Sequence, residues 1–240
     1  MKPDNISYPD WKILKNIYKD NLDYALNKLK ENYPIQYLIG YVDFYNTKIK
    51  VNENVLIPRF ETELLVDKTI KLLKAKNYHR LIDFCTGSGA IAITLKKNLS
   101  LEIDACDISE TALELAKTNA FENNTKINFF KSDIMHDTIS QKYDCIISNP
   151  PYVSKDEYTS PETKYEPSIA LFADNQGLAF YERILKIAPA ILNEHGTIIF
   201  EIGATQADSI KKIALKYFPK AKITIGQDYN NFNRFIFIEN

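Results

Sequence analysis

Apolar residues along this chain recur with two periods, and the periods alternate. Over residues 11–29, Trp11, Leu14, Ile17, Tyr18, Leu22, Ala25, Leu26 and Leu29 stand at helical spacing, which predicts one amphipathic helix ending ahead of Pro34. The stretch YVDFYNTKIKVNENVLIPRF alternates apolar and polar positions around Asn46 and Asn52, the pattern of a small hairpin or extended arm. From Glu61 onward the periods take turns. ETELLVDKTIKLLKAK reads as helix, RLIDFC as strand, Gly89 to Asn98 as helix, LEIDACD as strand, SETALELAKTNAFENN as helix, and INFFKSD and YDCIIS as strands. After a long connection come a helix, GLAFYERILKIAPAIL, a strand, GTIIFEIG, a helix, ATQADSIKKIALKYF, and two final strands, KITIGQ and RFIFIE.

Strands separated by helices imply a parallel sheet with right-handed crossovers, and two closing strands with no helix between them imply an antiparallel hairpin. The expected fold is therefore α/β: a doubly wound, mostly parallel, Rossmann-like sheet of seven strands with a small helical region in front. Residues 1–33 form that helical region, 34–60 a linking arm or hairpin, and 61–240 the main domain.

Composition narrows the partners. The 240 residues are 45% hydrophobic and 25% charged, enough to bury a core, and the net charge of -1 offers no global basic field for a long phosphate backbone. The lysines between Lys211 and Lys222 alternate with apolar residues, the mark of a solvated helix face rather than a polyanion patch. Cys85, Cys106 and Cys145 are odd in number and sit in apolar runs, and His79, His136 and His195 lie far apart. Neither a disulfide framework nor a metal site is indicated. The opening MKPDNISYPDW lacks the regions of a signal peptide, and no apolar run reaches membrane-spanning length. A cytoplasmic protein is expected.

Two clusters carry candidate chemistry. In DFCTGSGAIA, residues 83–92, a strand hands over to a helix through Gly87 and Gly89, which permit a tight turn and close ligand approach. The next strand ends at Asp107, placed to accept hydrogen bonds from ribose hydroxyls. This is a nucleoside-binding arrangement, shared by nicotinamide dinucleotides and S-adenosyl-L-methionine, and the glycines do not decide between them. Asp133 suits an adenine amine or an ordinary turn, and Ile134 beside it would wall the ring.

The second cluster is SNPPYVSK, residues 148–155, directly after the fourth strand. Two prolines make a stiff corner, and in an open parallel sheet it faces the same crevice as the glycine loop. For a methyl donor and a planar amide or aromatic amine, the Asn149 side-chain oxygen and the Pro150 carbonyl would accept the two N–H groups of a weakly nucleophilic nitrogen, and Tyr152 would lie on its flat face. Rigid acceptors need no reorganisation as the methyl moves. A plain strand terminator is the alternative.

With NPPY after the fourth strand and DFCTGSG before it, the chain resembles class I methyltransferases that act on planar nitrogen. PIQYLIG (34–40), VLIPRFETELLV (55–66), TGSGAIAI (86–93), ISNPPYV (147–153), YEPSIALF (165–172), QGLAFYERIL (176–185), EIGATQ (201–206) and DYNNFNRF (228–235) are similar to the PrmC/HemK type. That family methylates the glutamine of the Gly-Gly-Gln motif in peptide chain release factors. The resemblance implies S-adenosyl-L-methionine as methyl donor, held by Cys85, Thr86, Gly87, Ser88, Gly89, Asp107, Ile134 and Asn149. It implies glutamine binding by Asn149, Pro150, Pro151 and Tyr152, with Asn149, Pro150 and Tyr152 catalytic, and release factors as partners of a monomer that needs neither nucleic acid nor membrane. Cys85 stands where the family has glycine, Phe60 where it has proline after Arg59, and Gln176 where aspartate is common; the front end offers one helix in place of a bundle. Arg59 would neutralise acidic groups or anchor the arm, Phe44 would close one wall, Glu61 would favour the following helix start, and 154–175 would form a lid. A DNA or RNA base methyltransferase and a dinucleotide-binding redox or regulatory protein are the other readings.

Overall fold

The single helix expected over 11–29 is two helices, α1 (Tyr8–Ile17) and α2 (Leu22–Lys30). In this computed structural model, which describes residue 3 and residues 6–240, Ser7 caps α1 by accepting the Asp10 N–H at 3.1 Å. Residues 1, 2, 4 and 5, the start of the expected 1–33 region, lie outside the described residues. Tyr18 leaves helical geometry (φ -103°, ψ 37°) and Asn21 opens the next helix. Periodicity misses this corner because both helices turn their apolar faces to one cluster, built on Trp11, Leu14, Ala25 and Leu38. A third helix, α3 (Ile35–Ile39), follows Pro34 and stops at Gly40, which is left-handed at φ 85°.

The expected hairpin is present as β1 (Tyr41–Phe44) and β2 (Thr47–Lys50), paired antiparallel. Its two turn residues, Tyr45 and Asn46, both have positive φ (45° and 58°), the turn whose twist matches a two-residue hairpin.

The main sheet is built from β3 (Arg80–Phe84), β4 (Glu102–Asp107), β5 (Asn128–Lys131), β6 (Tyr143–Ser148), β7 (Leu192–Glu201), β8 (Lys222–Gln227) and β9 (Asn233–Glu239). Their spatial order is β5-β4-β3-β6-β7-β9-β8. β3 to β7 pair in parallel, and β9 runs antiparallel to both β7 and β8. The seven-stranded, mostly parallel α/β sheet expected from the pattern is thus observed. Alternate residues on each strand feed two cores. Leu81, Ile103, Ile147 and Ile199 pack under α4 (Phe60–Leu73), α5 (Ala90–Asn98) and α6 (Glu110–Glu122). Ile82, Phe84, Ile146, Ile198 and Phe200 pack under α9 (Ala179–Ile191) and α10 (Ala207–Tyr217). On α10, Ile210, Ala214 and Phe218 beyond its end are buried while Lys211, Lys212 and Lys216 are exposed, so the lysine run is a solvated face.

The chain reverses its direction of travel across the sheet between β3 and β6, where Phe84 pairs with Ser148. The loops leaving these two strands therefore start side by side, which is the crevice such sheets offer to ligands. The long connection after β6 holds a 3₁₀ turn (Pro161–Tyr165), α7 (Ser168–Leu171) and α8 (Asp174–Gly177), a single turn with Asn175 and Gln176 left-handed. It folds back on the corner: the Val153 N–H donates to the Leu171 carbonyl at 2.9 Å and the Ala173 N–H to the Val153 carbonyl at 3.0 Å. Among the described residues, no helix is long and apolar enough to cross a membrane.

Candidate functional site

The loop after β3 turns through three left-handed residues, Cys85 (φ 57°), Gly87 (φ 53°) and Gly89 (φ 81°). A Cβ built on Gly87 meets nothing within 4 Å, so this position faces open space. On Gly89 it would stand 3.1 Å from both the Ala116 Cβ and the Ile93 Cδ1, so this glycine serves helix packing. Cys85 has no such freedom, and its left-handed backbone costs ~1–2 kcal/mol that the surrounding bonds must offset. Those bonds are present. The Thr86 hydroxyl donates to Asp83 at 2.6 Å, the Thr86 N–H donates to the Cys106 carbonyl at 3.0 Å, and Asn119 Nδ2 donates to the Ser88 carbonyl at 2.9 Å. Asp83 is fully buried, and desolvation pushes its carboxyl up to about 7.

Asp107, at the end of β4, accepts the Gly87 N–H at 2.8 Å with one oxygen and the Ser109 N–H at 2.9 Å with the other. Burial raises its pKa, and these backbone donors oppose the rise. The carboxylate thus braces the loop from the neighbouring strand, and the same side chain faces a cavity of about 240 Å³. Cys85, Gly87, Asp107, Ile134, Asn149 and Pro151 line that cavity. Thr86, Ser88 and Gly89, expected beside them, do not line it; they shape the loop from behind. Asp133 lines it and also accepts the Met135 N–H at 3.0 Å, the bond of an ordinary turn.

A second cavity, about 250 Å³, lies on the other side of the corner and is lined by Arg59, Asn149, Pro150 and Tyr152. Asn149 lines both cavities. Pro151, expected with Pro150, lines the first instead: consecutive residues of an extended segment point opposite ways. The Asn149 Nδ2 donates to Thr62 Oγ1 at 3.2 Å, while its Oδ1 is buried without a hydrogen-bond partner. An orphaned buried acceptor of this kind is costly and marks a place where a donor is missing.

Sequence reasoning misplaces or misses several neighbours. Phe44 is 1% exposed in the core under α4 and lines neither cavity. Its alternation in a hairpin is equally that of a core residue. Arg59 pairs with the nearly buried Glu166, whose other oxygen accepts the Ile57 N–H at 2.9 Å, so the arginine anchors the arm to the long connection. Glu61 sits in the first turn of α4, where its charge suits the helix dipole. Thr62 and Glu201 escape the sequence patterns. Thr62 Oγ1 donates to Glu201 Oε2 at 2.7 Å, and the Tyr152 hydroxyl donates to Glu201 Oε1 at 3.3 Å. A carboxylate ending the apolar run GTIIFE is the available signal, because β7 is buried there and an acid in it needs partners. Desolvation pushes Glu201 up to about 7.

The corner is also held from outside. Gln206 Nε2 donates to the Tyr152 carbonyl at 2.9 Å and to the Gln176 carbonyl at 3.2 Å.

Known proteins resemble this chain. Residues 61–164 match the family described as "Methyltransferase small domain". The release factor glutamine methyltransferase of Lactococcus lactis is 41% identical over 218 residues, covering 88% of this chain and 79% of the relative. That of Staphylococcus aureus is 40% identical over 220 residues, covering 89% and 78%. This chain belongs to the release factor glutamine methyltransferase family. A methyltransferase crystal structure from Pyrococcus furiosus shares the fold, with a TM-score of 0.61 at 16% identity over 92% of this chain and 98% of that one.

Methyltransferases of this family take their methyl group from S-adenosylmethionine, and the first cavity suits that donor. It carries two carboxylates, Asp107 and Asp133, and among its described lining residues neither lysine nor arginine. A pyrophosphate would find no countercharge there, whereas a sulfonium and an amino group are cations that carboxylates favour. Gly87 leaves space, and Ile134 supplies an apolar wall.

Proposed function

We propose that this protein transfers a methyl group to the side-chain amide nitrogen of the glutamine in the Gly-Gly-Gln motif of peptide chain release factors. The observation that carries the reading is Asn149, which lines both cavities and holds a buried acceptor oxygen without a partner. S-adenosylmethionine supplies an electrophilic methyl carbon on a positively charged sulfur. Asp107, Ile134 and the open face at Gly87 hold it in the first cavity, with Cys85 and Pro151 completing the lining.

The glutamine amide belongs in the second cavity, against Pro150 and Tyr152. An amide nitrogen is a poor nucleophile because its lone pair is delocalised into the carbonyl. Asn149 Oδ1 and the Pro150 carbonyl accept its two N–H groups, which aims the nitrogen and raises its electron density. With the donor bound, the nitrogen–carbon bond would form as the carbon–sulfur bond breaks, its electron pair going to sulfur. The N-methylated cation first formed, which still carries both amide hydrogens, is strongly acidic and sheds one proton to water to leave the neutral methylamide, so no strong base is needed. Proline stiffness keeps the acceptors from reorganising.

The same reading makes the enzyme a cytoplasmic monomer that binds its protein substrate without nucleic acid; the net charge of -1 favours no polyanion. Mass spectrometry of release factor incubated with the protein and methyl donor tests it. A gain of one methyl group on the Gly-Gly-Gln glutamine is expected, and an unmodified factor overturns the reading.

A further inference from the structure

Two residues behind the corner are joined to it by hydrogen bonds. Thr62 is 4% exposed on α4, and Glu201 is 1% exposed at the end of β7. Three bonds join them to the corner: Asn149 Nδ2 to Thr62 Oγ1, Thr62 Oγ1 to Glu201 Oε2, and the Tyr152 hydroxyl to Glu201 Oε1. A threonine hydroxyl has one proton to give. An ionised carboxylate only accepts, so that proton goes to Glu201 and the hydroxyl turns its lone pairs toward Asn149. Only the NH₂ end of the asparagine amide can meet a lone pair. The carbonyl end is left as the unpartnered acceptor.

We propose that Thr62 and Glu201 are positioning residues for methyl transfer, acting together to hold the Asn149 amide with its oxygen, not its NH₂, available to the glutamine nitrogen. The inference rests on the corner being the acceptor site. The reversed amide would set N–H groups against N–H groups and remove the interaction that steers the nucleophile.

The relay has a second state. When Glu201 carries a proton, its Oε2–H donates to Thr62, the Thr62 hydroxyl donates to Asn149 Oδ1, and the NH₂ takes the place of the acceptor. Both bonds of the relay survive with their direction inverted. The groups facing Glu201 are Thr62 and Glu61 of α4, Tyr152 of the corner, Tyr181 of α9 and Arg234 of β9. The Tyr181 hydroxyl donates to the Glu201 backbone carbonyl at 2.8 Å, and Arg234 is paired with Asp228 at 3.3 Å. Burial and Glu61 favour the protonated acid, while Arg234, Thr62 and Tyr152 favour the anion, and the balance lies at about 7. The catalytically correct polarity is therefore complete only above neutrality.

The test combines single-turnover transfer to release factor with nitrogen-15 spectra of the Asn149 side chain, from about pH 6 to pH 8.5. In the unmodified protein the rate rises with a midpoint near pH 7, and the Asn149 NH₂ signal shifts with the same midpoint. Thr62→Val loses about 10–100-fold in rate, the scale of a small misplacement of a positioning group, and loses the pH dependence of both readouts, while donor affinity changes little. Thr62→Ser, which keeps the hydroxyl, restores the pH dependence and most of the rate. Glu201→Gln is slow and flat with pH, because its amide can donate to Thr62 at any pH. A Thr62→Val protein with the original rate and pH profile overturns the inference; should that variant fail to fold, a Glu201→Gln protein at full rate above about pH 8 does so. An Asn149 signal that titrates in a protein unable to methylate release factor sinks the proposed function and leaves the relay standing.

Discussion

The backbone of Gly177 lies directly on the Tyr152 carbonyl: a Cβ built on this glycine would sit 2.0 Å from that oxygen and 2.5 Å from the Gln206 Nε2 that hydrogen-bonds it. Gly177 is also left-handed, at φ 80°. Two independent constraints thus demand glycine at a residue that lines neither candidate ligand cavity.

Gly177→Ala is expected to move the corner rather than the alanine, because the clash is with backbone and the displaced carbonyl is tied to Gln206. Left-handed strain adds ~1–2 kcal/mol. Transfer should fall at least about tenfold, since small misplacements of positioning groups are costly, while methyl-donor affinity stays within about twofold. Equal single-turnover rates for the variant and the unmodified protein would show that the corner tolerates the shift.

Asp107 gives a prediction about donor binding rather than transfer. Its carboxylate serves the Gly87 and Ser109 N–H groups and faces the first cavity. Asp107→Ala should weaken donor binding by about 1.5–3 kcal/mol, the range for hydrogen bonds to a charged group, and leave the circular dichroism of the fold unchanged. Calorimetry with S-adenosylmethionine decides, and an unaltered affinity removes Asp107 from the donor site.

The sheet is legible because each strand alternates or runs apolar between helices with their own period; the seven strands and the terminal hairpin follow from that. The corner between α1 and α2 is not legible, since a break that keeps both apolar faces on one cluster leaves the spacing undisturbed. At the site, Gly87, Asp107, Ile134 and the Asn149 corner can be read because strand ends and glycine pairs mark them. Thr62, Glu166 and Glu201 cannot, because their partners lie 139 residues away for Thr62 and Glu201 and 107 for Arg59 and Glu166, and no local pattern records such pairs.

Asp83 predicts a pH dependence of stability. Its carboxyl is held at about 7 by burial, above the ordinary value. The folded state therefore binds this proton more tightly than the unfolded chain does, and the contribution is full below about pH 4 and lost as pH rises through about 7. Glu201 is shifted in the same direction, so removing Asp83 reduces the slope without abolishing it. Asp83→Asn should lose less stability between about pH 5 and pH 8 than the unmodified protein, read as the change in urea midpoint. Carboxylates held below their ordinary values, such as Asp144 and Asp228, pull the other way but are common to both proteins. Identical changes in midpoint would mean that Asp83 is ionised in the fold.

Asn149 is the sharpest test of the corner. If its Oδ1 accepts one hydrogen of the glutamine amide, the interaction matters most as charge develops on nitrogen, so Asn149→Ala should keep most donor binding and lose the chemical step. Removing one preorganised polar partner costs ~10²–10³ in rate. Asn149→Asp separates the acceptor from the orientation. It keeps an oxygen on the substrate side and adds negative charge near the sulfonium, which should tighten the donor. It also removes the NH₂ that meets Thr62, so the Thr62 hydroxyl then stands between two carboxylates, the introduced one and that of Glu201. Activity above that of the alanine variant but below that of the unmodified protein is expected, with tighter donor binding by calorimetry. In a single-turnover assay on release factor, methyl transfer by Asn149→Ala at the unmodified rate would leave the two prolines as a strand stop and nothing more.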